Sequence, residues 1–128
     1  MQALEPQPTR PADCFDTLLF IRHQRMLRAL MIEGQGWFCL QDLARLMGKA
    51  LDQRSICKLD PDQYRSAWLF ANGHWSKQLL LSESGAYAML VHHYVPENRA
   101  LRRWLTHEVM PALRKAPQTG QPSISVMQ

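Results

Sequence analysis

The stretch SAWLFANGHWSKQLLL, residues 66–81, restricts the fold more than any other part of the chain. Asn-Gly is the preferred central pair of a type I′ turn because both positions need positive φ, and apolar strand-like runs flank Asn72-Gly73 on either side. A two-residue loop leaves one register: Ala71 opposite His74, Phe70 opposite Trp75, Leu69 opposite Ser76 and Trp68 opposite Lys77. Trp68, Phe70, Trp75 and Lys77 then share one face of a hairpin. For the three aromatic residues, packing in the core is favoured over a base-stacking platform, because aromatic strand faces mostly bury themselves.

The segments around the hairpin complete a mixed pattern. Phe15–Ile21 and Met26–Ile32 are apolar and of strand length, although Leu, Met and Ala leave the second ambiguous with helix. EGQG at 33–36 is a turn leading into WFCL, a short strand that sends Trp37 and Phe38 to opposite sides. Leu40, Leu43, Ala44 and Met47 then recur at helical spacing, and Gly48 stands where a left-handed residue ends a helix. Residues 52–59 could form another helix with Asp52 as N-cap, before DPD at 60–62 breaks the pattern. Ser82 can cap a helix that buries Ala86, Met89 and Leu90. Pro96 opens the last one at its first turn, and Pro111 should end or bend it. This order predicts an α+β domain: a small, mostly antiparallel sheet with hairpins, an embedded short helix and two C-terminal helices.

At 128 residues the chain is one domain by length. Residues 1–14, which contain Pro6, Pro8 and Pro11, and residues 116–128, rich in Pro, Gln and Ser, read as disordered tails around a folded unit at 15–115. Cys14, Cys39 and Cys57 are odd in number, widely spaced and without a C-x-x-C pair or a signal peptide ahead of them. They are expected to be free thiols in a reducing, cytoplasmic setting. The longest apolar runs, such as LLF and LLL, are far too short to span a bilayer.

Enzymatic and metal chemistry find no footing in the residue pattern. His92 and His93 are adjacent and would point apart on a helix, and the cysteines are scattered, so no metal site is expected. EGQGW lacks the spacing and the lysine of a phosphate-binding loop, and no nucleophile stands in a recognisable local signature. Neither a cofactor nor a catalytic residue is expected.

One segment concentrates charge. In residues 97–115, Arg99, Arg102, Arg103, Arg114 and Lys115 face only Glu97 and Glu108, five cations against two carboxylates, a net +3 of the chain's +4. Leu101, Trp104 and Leu105 recur at i, i+3, i+4, joined a turn later by Ala112, so that side should be buried. Arg99, Arg102, Arg103 and Thr106 fall on the opposite side in one stripe. Like charges stacked this closely destabilise an isolated helix, and such a stripe is commonly only a solvated face.

Three motifs give the stripe a context. WFCLQDLARLMG resembles the aromatic strand and "D-(V/L)-A-x-x-L-G" helix of the BRO N-terminal domain, found in baculovirus repeated-ORF proteins and bacteriophage antirepressors; the matching residues are Asp42, Leu43, Ala44, Met47 and Gly48. LLLSESGAYAMLVHHYVPENRALRRWL resembles the family's "I-x-E-x-G-L-Y-x-L-I" helix, through Glu83, Gly85, Tyr87, Leu90 and Val91, and the "P-E-A-x-x-F-(K/R)-x-W" that begins at Pro96-Glu97. WLTHEVMPALRK resembles the closing "W-V-x-x-E-V-L-P-x-I-R", here Trp104, Leu105, Glu108, Val109, Met110, Pro111, Leu113 and Arg114. Departures are Asn98 for the usual Ala, Leu101 for the usual Phe and His93 at a position that is often Ser.

The resemblance runs from about residue 15 to 115. It implies a DNA-binding transcriptional regulator, as in prophage antirepressors, here without the second C-terminal domain that often follows. Read with the charge pattern, it makes Arg99, Arg102, Arg103, Thr106, Lys77, Arg114 and Lys115 the candidate contacts to double-stranded DNA, with guanidinium forks on phosphates. The alternative is a protein-interaction module that binds a repressor or another regulatory protein without touching DNA. A homodimer is compatible with either.

Overall fold

The computed structural model describes residues 14–71 and 73–116, apart from the side chain of Ala71. Six strands form one curled sheet: β1 (Cys14–Phe15), β2 (Leu18–Arg22), β3 (Arg25–Ile32), β4 (Gln35–Cys39), β5 (Tyr64–Ala71) and β6 (His74–Ser82), ordered β1-β5-β6-β4-β3-β2. Every pairing is antiparallel except that of β1 with β5. The α+β expectation holds, down to the embedded helix α1 (Leu40–Met47) and the helices that follow the sheet.

The β5–β6 hairpin has the register that its turn demands, Trp68 with Lys77 and Phe70 with Trp75, and Gly73 sits at φ 82°. Asn72 lies outside the described residues. The aromatic face departs from expectation. Phe70 is exposed and Trp68 and Trp75 are half-buried, because helices cover this face only near the base of the hairpin, where Tyr64, Leu79 and Leu81 meet the core. Phe70 and Trp75 pack edge to face, with ring centroids 5.1 Å apart.

Two further hairpins turn on His23-Gln24 and Glu33-Gly34, all four residues at positive φ. The run expected as one strand over Phe15–Ile21 is broken at Asp16-Thr17, so that its first piece pairs β5 while its second becomes the outer edge beside β3. Cys14, counted with the N-terminal tail, pairs with Trp68 in the sheet. The rest of that segment, and residues 117–128 of the other, lie outside the described residues.

The sheet buries both faces. Phe38, Leu27, Ala29 and Leu81 pack under the helices, whereas Trp37, Leu30, Leu69 and Phe15 cluster on the opposite face. Trp37 and Phe38 thus point oppositely, as strand alternation requires. Gly48, at φ 72°, ends α1 with its N–H on the Ala44 and Arg45 carbonyls. The helix expected over 52–59 is only a single 3₁₀ turn, Gln53–Ile56, capped by Asp52. Helix α2 (Glu83–His92) starts at Ser82, whose hydroxyl accepts from the Gly85 N–H at 3.1 Å.

Helix α3 (Glu97–Trp104) buries Leu101 and Trp104 as its spacing predicts, and Leu105 follows them into the core. The next turn does not keep phase. Leu105–Val109 is a π turn, wider by one residue, in which the Met110 N–H reaches the Leu105 carbonyl, and α4 (Met110–Lys115) continues the rod through Pro111. The extra residue moves the apolar stripe one position along the chain. Val109, Met110 and Leu113 are buried, and Ala112, assigned to the buried side from the sequence, is exposed. Pro111 does not end the helix: it stands in the first turn of α4, immediately after the widened turn, where proline is tolerated.

Among the described residues no helix is long and apolar enough to cross a membrane.

Candidate functional site

Helices α2 and α3 meet along an open groove of about 740 Å³. One wall comes from α2 and the residues after it: Tyr87, Leu90, Val91 and Tyr94, spaced i, i+3, i+4, i+7 along one stripe. The other comes from α3 and its π turn: Arg99, Arg102, Arg103, Thr106 and His107. The groove is apolar on one side and cationic on the other.

Gly85 sets where α2 lies, and side-chain hydrogen bonds tie it to α3 and the π turn. Gly85 lies in the first turn of α2 against the Gln63 carbonyl, where a Cβ would sit 2.4 Å from the oxygen. Asn98, buried in α3, donates from Nδ2 to the Leu90 carbonyl at 2.7 Å and to that of His93 at 3.3 Å, so it closes the C-terminal end of α2. Its Oδ1 is buried without a hydrogen-bond partner among the described residues. Asn98 therefore acts as a side-chain cap on the end of α2. Across the other end, the Tyr87 hydroxyl donates to Glu83 Oε2 at 3.0 Å and shares a 2.9 Å hydrogen bond with the Thr106 hydroxyl. Burial, the first cause, and the Glu83 carboxylate push the Tyr87 phenol above its ordinary pKa.

Five arginines reach a carboxylate. Arg22 binds Glu97, Arg28 and Arg45 bind Asp42, Arg54 approaches Asp52 at 3.7 Å, and Arg114 approaches Glu83 at 4.0 Å. Arg99, Arg102 and Arg103 are exposed and form no ion pair with a described residue. Glu97, two residues before Arg99, is already held by Arg22 from the edge of the sheet, and Arg22 also lies 6.0 Å from the Trp104 ring centroid.

The seven residues singled out from the sequence thus divide. Arg99, Arg102, Arg103 and Thr106 share the groove, although the Thr106 hydroxyl is bonded to Tyr87. Lys77 is exposed on β6 and Arg114 and Lys115 on α4, and none of the three lines the groove. Sequence reasoning missed Tyr87, Val91, Tyr94 and His107. The i, i+4, i+7 spacing of the first three was a readable signal, hidden because α2 is apolar nearly all round and its core face was easier to see.

Among the described residues no cluster of His, Cys, Asp or Glu could hold a metal ion. Cys39 and Cys57 are free thiols. Cys39 is buried beside Arg28 and Gln78, and burial raises its thiol pKa, which disfavours the reactive thiolate.

The model for the BRO family, N-terminal domain, matches residues 26–111. That span contains α1, the hairpin, both walls of the groove and the π turn. No curated protein and no solved structure matches the chain.

Proposed function

The chain belongs to the BRO family as an N-terminal domain, and from that premise we propose that it is a duplex-DNA-binding regulator of the antirepressor type, without catalytic activity. Its contact surface is the arginine wall of the α2–α3 groove. The observation that carries this reading is that Arg99, Arg102 and Arg103 share one exposed stripe and have no carboxylate partner among the described residues, whereas Arg22, Arg28, Arg45, Arg54 and Arg114 each have one. Three exposed guanidinium groups along one stripe repel each other in the isolated protein and are relieved by a row of phosphates. Each contact displaces condensed counterions, so affinity should fall steeply with salt.

The test is a mobility shift on random duplex at several salt concentrations, with wild type and a variant carrying Arg99→Gln, Arg102→Gln and Arg103→Gln. Loss of three phosphate contacts should flatten the plot of log affinity against log salt by about 2–3, at about 0.9 per contact. An unchanged slope, or no affinity of the wild type at low salt, would refute phosphate contact.

A second reading, capture of a repressor or other regulatory protein, is favoured by one observation: Val91 and Tyr94 are large, apolar and exposed on the facing wall. Phosphates have no use for them. A protein partner held there would bind with weak salt dependence and lose affinity on Val91→Ser and Tyr94→Ser.

A further inference from the structure

We propose that β2 is a self-association edge, and that two copies of this chain join β2 to β2 antiparallel into one continuous twelve-stranded sheet. Among the described residues β2 closes one side of the sheet with no strand beyond it. The His23-Gln24 turn is a two-residue loop with Arg22 opposite Arg25, so hydrogen-bonded pairs fall at Arg22, Phe20 and Leu18. The N–H and C=O groups of Leu19 and Ile21 therefore point outward.

Those same two residues carry exposed apolar side chains, Leu19 at 57% and Ile21 at 62% of full exposure, with the half-exposed Met26 opposite Ile21 on β3. Neither Pro nor a charge interrupts Leu18–Ile21, the devices by which edge strands are ordinarily protected. The free backbone and the uncovered side chains coincide residue for residue.

Antiparallel pairing of a strand with its own copy has a two-fold axis, and centring that axis on Phe20 sets Leu19 opposite Ile21 of the other copy and the reverse. Both are then hydrogen-bonded pairs, since both present outward backbone groups. Leu19, Ile21 and Met26 of the two copies come together on one face. Charge agrees with this direction. The strand begins after Asp16 and its hairpin returns at Arg25, so the acidic start of one copy lies beside the Arg25 end of the other. The arrangement leaves the groove of each copy untouched and holds whether or not DNA is bound there.

Sedimentation equilibrium of the full chain from micromolar to sub-millimolar concentration tests it. Wild type should pass from monomer to dimer. Ile21→Pro removes an N–H that bonds nothing within the β2–β3 ladder and should raise the dimer dissociation constant about ten- to hundredfold, because both copies lose a hydrogen bond. Its melting temperature at the lowest concentration should match wild type. If the proline disturbs folding, the pair Leu19→Lys and Ile21→Lys, which leaves the backbone intact, should also give monomer. A wild type that stays monomeric throughout, or a dimer untouched by both variants, overturns the proposal.

Discussion

Asp42→Ala is the most informative perturbation of the fold. Asp42 is fully buried in the first turn of α1, and Arg28, 7% exposed, lies against it. The guanidinium donates from Nε at 2.8 Å and from Nη2 at 3.1 Å to the two carboxylate oxygens. The Arg28 backbone N–H donates to the same carboxylate at 2.9 Å, at the point where β4 has already turned into α1 and offers no ladder partner. Arg45 adds a longer bond at 3.3 Å. Removing the carboxylate leaves a buried cation without its counter-charge, which costs about 3–5 kcal/mol, and a stranded backbone donor, which adds about 1 kcal/mol. Against a total stability of about 5–15 kcal/mol this is severe. In urea, with an m-value of about 1–3 kcal/mol/M, the midpoint should fall by about 1.3 M or more. Adding Arg28→Met to Asp42→Ala should recover much of the loss, because an apolar pair no longer holds an unpaired charge. A midpoint shift below about 0.5 M, or a double variant no more stable than the single, would refute the account.

Other expectations follow from single contacts. Trp104→Ala should lower stability by about 3–5 kcal/mol in the same denaturation assay, and an unchanged midpoint would remove Trp104 from the core. Gly85→Ala drives a Cβ into the Gln63 backbone and should cost about 1–3 kcal/mol by the same measure. Gly73→Val, at φ 82°, should cost about 1–2 kcal/mol without altering the sheet content seen by circular dichroism. Tyr87→Phe should be mild near neutral pH, about 1 kcal/mol. Because the folded-state pKa of Tyr87 is raised, its contribution is complete below the unfolded tyrosine value near 10 and lost as pH rises through the folded value. Wild type should therefore lose stability more steeply than Tyr87→Phe in alkaline denaturation above pH about 10.

The elements legible in the sequence were those whose signal is local. Asn72-Gly73 announces its turn because few residue pairs tolerate positive φ, and the register follows from loop length alone. Ser82, Gly48 and Pro96 mark helix ends because a missing donor, acceptor or Cβ acts within one turn. Periodicity placed Leu101, Trp104 and Leu105 inside and Arg99, Arg102 and Arg103 outside, and the structure agrees.

What the tertiary structure decided was non-local. His23-Gln24 has no glycine, yet it turns with positive φ at both residues, at about 1–2 kcal/mol each, because pairing β2 with β3 more than offsets the strain. The π turn at Leu105–Val109 leaves no periodic trace before it happens. Packing of Met110 and Leu113 over Gly36 rewards the shifted phase, and an ideal helix would have buried Ala112 instead. Arginines of one chemistry took two fates according to whether a carboxylate lay within reach across the fold: Arg22 and Arg28 became internal ties, and Arg99, Arg102 and Arg103 a wall with no ion pair among the described residues. Local sterics and hydrogen bonding can be read residue by residue along the chain, but partners distant in sequence exist only once the sheet has brought them together.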